Sequence, residues 1–120
     1  MNNQLALIVD DNAPMADVLV EMLEVFNVHA ITVQDGETAL KSLNEEPIGL
    51  VITDLRMPKM SGVELLRSIK AQSPDLPVVV ISGFSLSEDD NRTVRDIADG
   101  FLAKPFKMED VRALIERVNA

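Results

Sequence analysis

Leu5-Ala6-Leu7-Ile8-Val9-Asp10-Asp11 is an apolar run of strand length that ends in two adjacent carboxylates. Apolar residues in unbroken succession suit a strand buried on both faces, as in a parallel sheet. The same grammar returns three times. Ile48-Gly49-Leu50-Val51-Ile52-Thr53 runs into Asp54, Pro77-Val78-Val79-Val80-Ile81 into Ser82, and Gly100-Phe101-Leu102-Ala103 into Lys104. In an open α/β sheet, ligands bind in the crevice beyond the carboxyl ends of the strands. The pattern therefore gathers three carboxylates, a hydroxyl and an ammonium at one place. That inventory suits holding a divalent metal and moving a phosphoryl group onto a carboxylate.

Working outward, strand-like and helix-like patterns alternate. Strand candidates begin near Leu5, Val28, Ile48, Pro77 and Gly100. Met15, Val18, Leu19, Met22, Leu23 and Phe26 follow the i, i+3, i+4, i+7 spacing of an amphipathic helix. Ala39, Leu40 and Leu43 mark a second helix, Val63, Leu66 and Ile69 a third, and Val111, Leu114, Ile115 and Val118 a fifth. The fourth, about Ser87 to Ala98, is polar apart from Val94, Ile97 and Ala98, and Ser87 with Asp90 resembles a capping box. It is expected to be the least firmly packed and the most easily displaced. The alternation predicts an α/β fold, with right-handed crossovers and a parallel sheet covered on both faces. His29 falls inside the second strand and reads as a packed or edge histidine.

Residues 1–120 suit one domain with a real core, because nearly half of them are apolar. The longest apolar runs are only strand-length, too short to span a membrane. Met1-Asn2-Asn3-Gln4 lacks the basic flank and apolar core of a signal peptide. The absence of cysteine excludes a disulfide framework, a thiolate nucleophile and a Cys-ligated zinc. These features fit the cytoplasm. The net charge of −9 comes with no visible basic face, which argues against direct nucleic-acid binding and favours cationic partners, metal ions among them.

Each site residue also has a plainer reading. Asp11 or Asn12 caps the first helix, with Pro14 in its first turn. Asp54 is a loop aspartate, with Pro58 and Gly62 supplying turn chemistry. Lys104 is an exposed surface lysine. Against this, crowded carboxylates are expensive: two like charges 4 Å apart repel by about 4 kcal/mol at an effective dielectric near 20. A hard divalent cation such as Mg²⁺ removes that cost while taking one or two protein carboxylates. Neither GxxxxGK[ST] nor GxGxxG occurs. Phosphate would thus be held by side chains and a metal rather than by a glycine cradle. An ammonium at Lys104 pairs with phosphate as a point charge. Ser82 offers one hydroxyl hydrogen bond, and Gly83 lets backbone approach.

Taken together, these residues resemble the receiver domain of two-component response regulators over the whole chain. The matching pieces are Leu7-Ile8-Val9-Asp10-Asp11, Asp54 with Met57-Pro58 and Ser61-Gly62, Ser82-Gly83, and Asp99 through Phe106. The resemblance implies a flavodoxin-like, doubly wound (βα)5 fold with strand order 2-1-3-4-5. It implies that Asp54 is the phosphoacceptor, fed by the phosphohistidine of a histidine kinase or phosphotransfer protein. Asp11 would ligate Mg²⁺ directly, Asp10 directly or through water, and Asp54 and the backbone carbonyl of Arg56 would complete the protein ligands. Lys104 would contact the phosphoryl oxygens. Ser82 would be the switch hydroxyl and Phe101 the switch aromatic. Arg56 and Phe84 would influence the lifetime of the acyl phosphate. The face made by the fourth helix, fifth strand and fifth helix would meet a downstream effector protein or output domain. Such a protein is a phosphoacceptor that assists its own phosphotransfer and dephosphorylation rather than an enzyme. Three positions depart from the family's commonest pattern: Ser82 stands for Thr, Gly83 for Ala and Phe101 for Tyr, so a switch here works by ring burial.

Two further arrangements stay open. The chain ends at Ala120 directly after the fifth helical pattern, as a stand-alone receiver would, but a receiver excised from a larger regulator or hybrid kinase reads the same. It also suits a phosphate relay or sink without conformational output. A haloacid-dehalogenase-like phosphatase would instead resemble DxD after the first strand. Here the candidate nucleophile comes after the third strand, and the residue two beyond it is Arg56.

Overall fold

The computed structural model describes residues 5–55, 60–82 and 88–119. Its strands are β1 (Leu5–Val9), β2 (Ala30–Val33), β3 (Ile48–Asp54), β4 (Val78–Ser82) and β5 (Gly100–Ala103). Helices α1 (Ala13–Val25), α2 (Gly36–Glu45), α3 (Gly62–Gln72), α4 (Glu88–Ile97) and α5 (Met108–Asn119) alternate with them. The strands form one parallel sheet in the order β2-β1-β3-β4-β5, the flavodoxin-like arrangement.

The unbroken apolar runs have the expected physical cause. Successive strand residues point to opposite faces, and here both faces are dry. Ala6, Ile8, Leu50, Ile52, Val79, Ile81 and Leu102 pack with Ala16, Leu19 and Leu23 of α1 and with Val111, Leu114 and Ile115 of α5. Leu7, Val9, Val51, Val78 and Val80 pack with Ala39 of α2, with Val63, Leu65, Leu66 and Ile69 of α3, and with Val94 of α4. Two helices thus cover one face and three the other. The polar α4 fully buries only one apolar side chain among its described ones, Val94, with Ile97 and Ala98 partly buried beside it.

Three sequence expectations shift. β2 begins at Ala30 rather than Val28, so His29 precedes the strand and is exposed. The cause is the end of α1. Asn27 adopts the left-handed conformation, φ 63°, which asparagine tolerates better than most residues. Its N–H donates to the Glu24 carbonyl, and that of Val28 donates back to Leu23. Val28 is therefore buried as the helix ends rather than extended in the sheet. Secondly, Val18 lies on the outer side of α1, at 47% exposure, because the buried stripe is Ala16, Leu19 and Leu23. Thirdly, α4 is described from Glu88, so the Ser87 half of the expected capping box lies outside the described residues.

Candidate functional site

Strand order creates the crevice. The chain leaves β1 for β2 on one side and returns to β3 on the other. The ends of β1 and β3 therefore flank the switch point where doubly wound sheets bind ligands. Register then sets the heights. Val9 pairs with Thr53, which brings Asp10 level with Asp54. Asp54 pairs with Ile81, Ile81 with Leu102 and Ser82 with Ala103. Lys104 comes directly after Ala103 and reaches back across β4.

Three carboxylates and the ammonium meet as the strand ends predicted. One carboxylate oxygen from each of Asp10, Asp11 and Asp54 lies within 4.8 Å of the other two. Lys104 Nζ donates to Asp54 Oδ2 at 3.0 Å. Asp10 and Asp54 are only 2% and 6% exposed, whereas Asp11 is open to solvent. The capping role falls to Asn12, whose side-chain oxygen accepts from the Met15 N–H at 3.1 Å, with Pro14 in the first turn. Asp11 is thus spared for other work. Asp54 is the last residue of β3 and not a loop aspartate.

Burial pushes the Asp10 carboxyl above the usual aspartate range. The Asn12 N–H, donating to Asp10 Oδ1 at 2.9 Å, works against that rise, the neighbouring Asp54 adds to it, and Lys104 opposes it. Three carboxylates against one ammonium leave a formal charge of −2 when all are ionised. A single divalent cation cancels it. An octahedral ion with oxygens at about 2.1 Å holds them about 3–4 Å apart, and the three carboxylate oxygens, within 4.8 Å of one another, are near enough to close on one. The donor set, all carboxylate, suits a hard ion such as Mg²⁺ rather than a soft one.

The backbone beneath Asp54 is held from two sides. The buried Thr53 hydroxyl donates to the Asp54 carbonyl at 2.9 Å. Gly62 does not act as a turn residue. It opens α3, and a Cβ there would stand 2.2 Å from the Asp54 carbonyl oxygen and 2.6 Å from Leu55 Cα. Its N–H donates to the Leu55 carbonyl. Ser61 caps the helix, accepting from the Glu64 N–H at 3.2 Å. The sequence reading missed both roles: Thr53 bonds locally to the very next carbonyl, whereas the fit of Gly62 depends on how α3 docks.

The remaining expected residues lie in several places. Ser82 ends β4 level with Ala103, but its side chain lies outside what is described, as do Arg56, Gly83 and Phe84 altogether. Phe101 sits on β5 and is 51% exposed. Around the crevice, Pro14 and Pro105 are exposed, Val18 half-exposed, and Met15 and Phe106 partly buried. The Lys104–Pro105 peptide is cis. Asp99 works at the opposite end of the sheet. Its carboxylate accepts from the Val78 N–H at 2.8 Å and pairs with Lys70, whose ammonium also donates to the Leu76 carbonyl at 2.7 Å.

The likeness to known proteins is broad. Residues 6–116 match the family described as response regulator receiver domain. A two-component response regulator of Oryza sativa subsp. japonica, ORR5, is 36% identical over 115 residues, spanning 93% of this chain and 86% of its own. The response regulator receiver protein CpdR of Brucella abortus is 35% identical over 114 residues, spanning 93% of both chains. Among solved structures, the receiver domain of NtrX from Brucella abortus superposes with a TM-score of 0.86 at 33% identity, over 94% of this chain and 96% of that one. With its five-stranded sheet and its acidic crevice facing one lysine, the chain belongs to the response regulator receiver domain family.

Proposed function

We propose that this chain takes a phosphoryl group from a phosphohistidine, on a histidine kinase or phosphotransfer protein, onto Asp54, and signals through the face of α4, β5 and α5. One observation carries the reading: the Lys104 ammonium sits on Asp54, beside two more carboxylates, at the switch point of the sheet. In the transfer, an Asp54 carboxylate oxygen attacks phosphorus in line. The P–O bond forms as the P–N bond breaks, and the imidazole leaves with the electron pair. Lys104, already on the acceptor carboxylate, moves with the charge onto a phosphoryl oxygen. The Ser82 hydroxyl donates to another. Asp10, Asp11 and Asp54, with the Arg56 carbonyl, would hold Mg²⁺, which when bound neutralises charge on the phosphoryl oxygens. Pro14, Met15, Val18, Pro105 and Phe106 supply an apolar rim for the donor. The exposure of Val18 supports that use over core packing. The chain acts as a phosphoacceptor that assists its own loading and resetting.

Incubation with acetyl phosphate and Mg²⁺ should add one phosphate, seen by intact mass and lost on hydroxylamine treatment. Asp54→Asn should abolish it. Stoichiometric labelling of that variant, or steady turnover of a generic phosphate monoester, would contradict the assignment.

A further inference from the structure

Asn12 stands between the acidic crevice and α1, and three of its polar groups are engaged in two directions. Its N–H donates to Asp10 Oδ1 at 2.9 Å. Its carbonyl accepts the first bond of the helix, from the Ala16 N–H at 3.0 Å. Its side-chain oxygen accepts from the Met15 N–H at 3.1 Å. The same residue therefore holds a carboxylate of the site and the start of the helix.

The two tasks depend on each other. A cap oxygen serves the N–H of the second or the third helical residue. The second here is Pro14, which has no N–H, so the cap rests on the Met15 bond. That bond keeps the Asn12 backbone extended, at φ −92° and ψ 94°. Without it the turn from β1 into α1 is free to rewind, and the Asn12 N–H loses its fixed aim at Asp10. The aim matters at this place. Asp10 is buried and crowded by Asp11 and Asp54. A buried carboxylate depends on its donors more than an exposed one does.

We propose that Asn12 is a positioning residue that couples the metal site to α1: the cap that starts the helix also fixes Asp10 for the ion, so occupancy of the site and order in the first turn of α1 rise together. The assignment rests on reading Asp10, Asp11 and Asp54 as the residues that hold Mg²⁺. Coupling between two sites is reciprocal. The factor by which the cap strengthens metal binding is the factor by which the metal steadies the cap. That first turn carries Pro14 and Met15 of the apolar rim, so a donor settling on it also tightens the hold on the ion.

Titration of the intact chain with Mg²⁺ alone, followed by NMR of its backbone amides, tests the link. Asn12→Ala should weaken Mg²⁺ binding about fivefold, the worth of one helix cap. Asn12→Ser, which restores an acceptor at the cap, should recover most of that loss. Saturating Mg²⁺ should slow solvent exchange of the Met15 amide severalfold in the unaltered chain, and less in Asn12→Ala. It should also raise the melting temperature of Asn12→Ala by less than that of the unaltered chain. A cap with no part in the site would lower the melting temperature equally with and without Mg²⁺ and leave the affinity unchanged. Either result would overturn the proposal, as would equal weakening in Asn12→Ser. Indifference of the Met15 amide to Mg²⁺ in the unaltered chain, a measurement that needs no variant, would overturn it too. Acetyl phosphate labelling of the unaltered chain separates the two readings. No labelling would strike the phosphoacceptor reading. Normal labelling, with Mg²⁺ binding indifferent to Asn12→Ala, would strike only the link.

Discussion

Asp10 has the more enclosed of the two buried carboxylates, and burial raises its pKa. A raised folded-state pKa means the native chain holds this proton more tightly than the unfolded one. Stability should therefore fall as pH climbs from the ordinary aspartate value, near 3.9, through the raised one. Above that the cost is complete. At neutral pH the metal-free chain bears the cost, so Asp10→Asn should raise the melting temperature by a few degrees, about 1 kcal/mol in a domain of this size. The gain should disappear below about pH 4, and added Mg²⁺ should stabilise the variant less than the unaltered chain. Thermal melts at both pH values, with and without Mg²⁺, check all three. Two glycines offer a contrast at the same scale. A methyl at Gly62 meets backbone, which cannot step aside. Gly62→Ala should cost about 2 kcal/mol or more. At Gly36 the nearest atom is the flexible thioether of Met60, and Gly36→Ala should cost less than about 1 kcal/mol, helped by the helix preference of alanine. Urea unfolding measures both.

The packing of α4 gives its chemistry a one-sided character. Toward α3 it is tied by Val94 and by Arg67, whose guanidinium donates to the Thr93 hydroxyl at 2.9 Å. Toward α5 it borders a hollow. Arg67→Ala should leave global stability within about 0.5 kcal/mol, as for an exposed polar contact. Amide exchange in α4 should nonetheless quicken severalfold while that of α3 holds. Hydrogen exchange read by mass spectrometry is the check. At this scale most of the fold was legible in the sequence, because the strands are apolar without interruption and each helix but the polar α4 repeats with the period of its buried stripe. The misses have local causes. Val18 fitted an apolar stripe on paper, but the small Ala16 takes the buried place that a pattern of large residues assigns elsewhere. The start of β2 moved because one asparagine accepts a left-handed turn. Asp10, Asp11, Asp54 and Lys104 were readable since a strand end fixes both the height and the direction of the next residue. The supports beneath them were not: Thr53 reads only as another residue of the strand, and Gly62 only as a turn residue until α3 is seen seated on the Asp54 backbone.

Across the whole molecule, Asp54 on β3 and Phe101 on β5 share the sheet, and β4 lies between them. Phe101 exposes about half its surface. Enclosing that half removes roughly 100 Å² from water and gives about 2.5 kcal/mol at about 25 cal/mol per Å². This shifts a two-state equilibrium about seventyfold, short of the ~10⁴ that takes a switch from nearly all off to nearly all on. Beryllofluoride should therefore move NMR signals of Val94, Ile97 and Phe101 as well as those of the crevice, with a graded response. Shifts confined to the surroundings of Asp54 would mark a phosphate relay or sink instead. The seat of Gly62 against the Asp54 backbone says which part moves. No gap even of methyl size is left there, so β3 and α3 are held backbone to backbone, like an anvil bolted to its block. A change at Asp54 is therefore expected to be taken up by its other neighbours. The thinly packed α4 and the one-sided β5 are where the material can give.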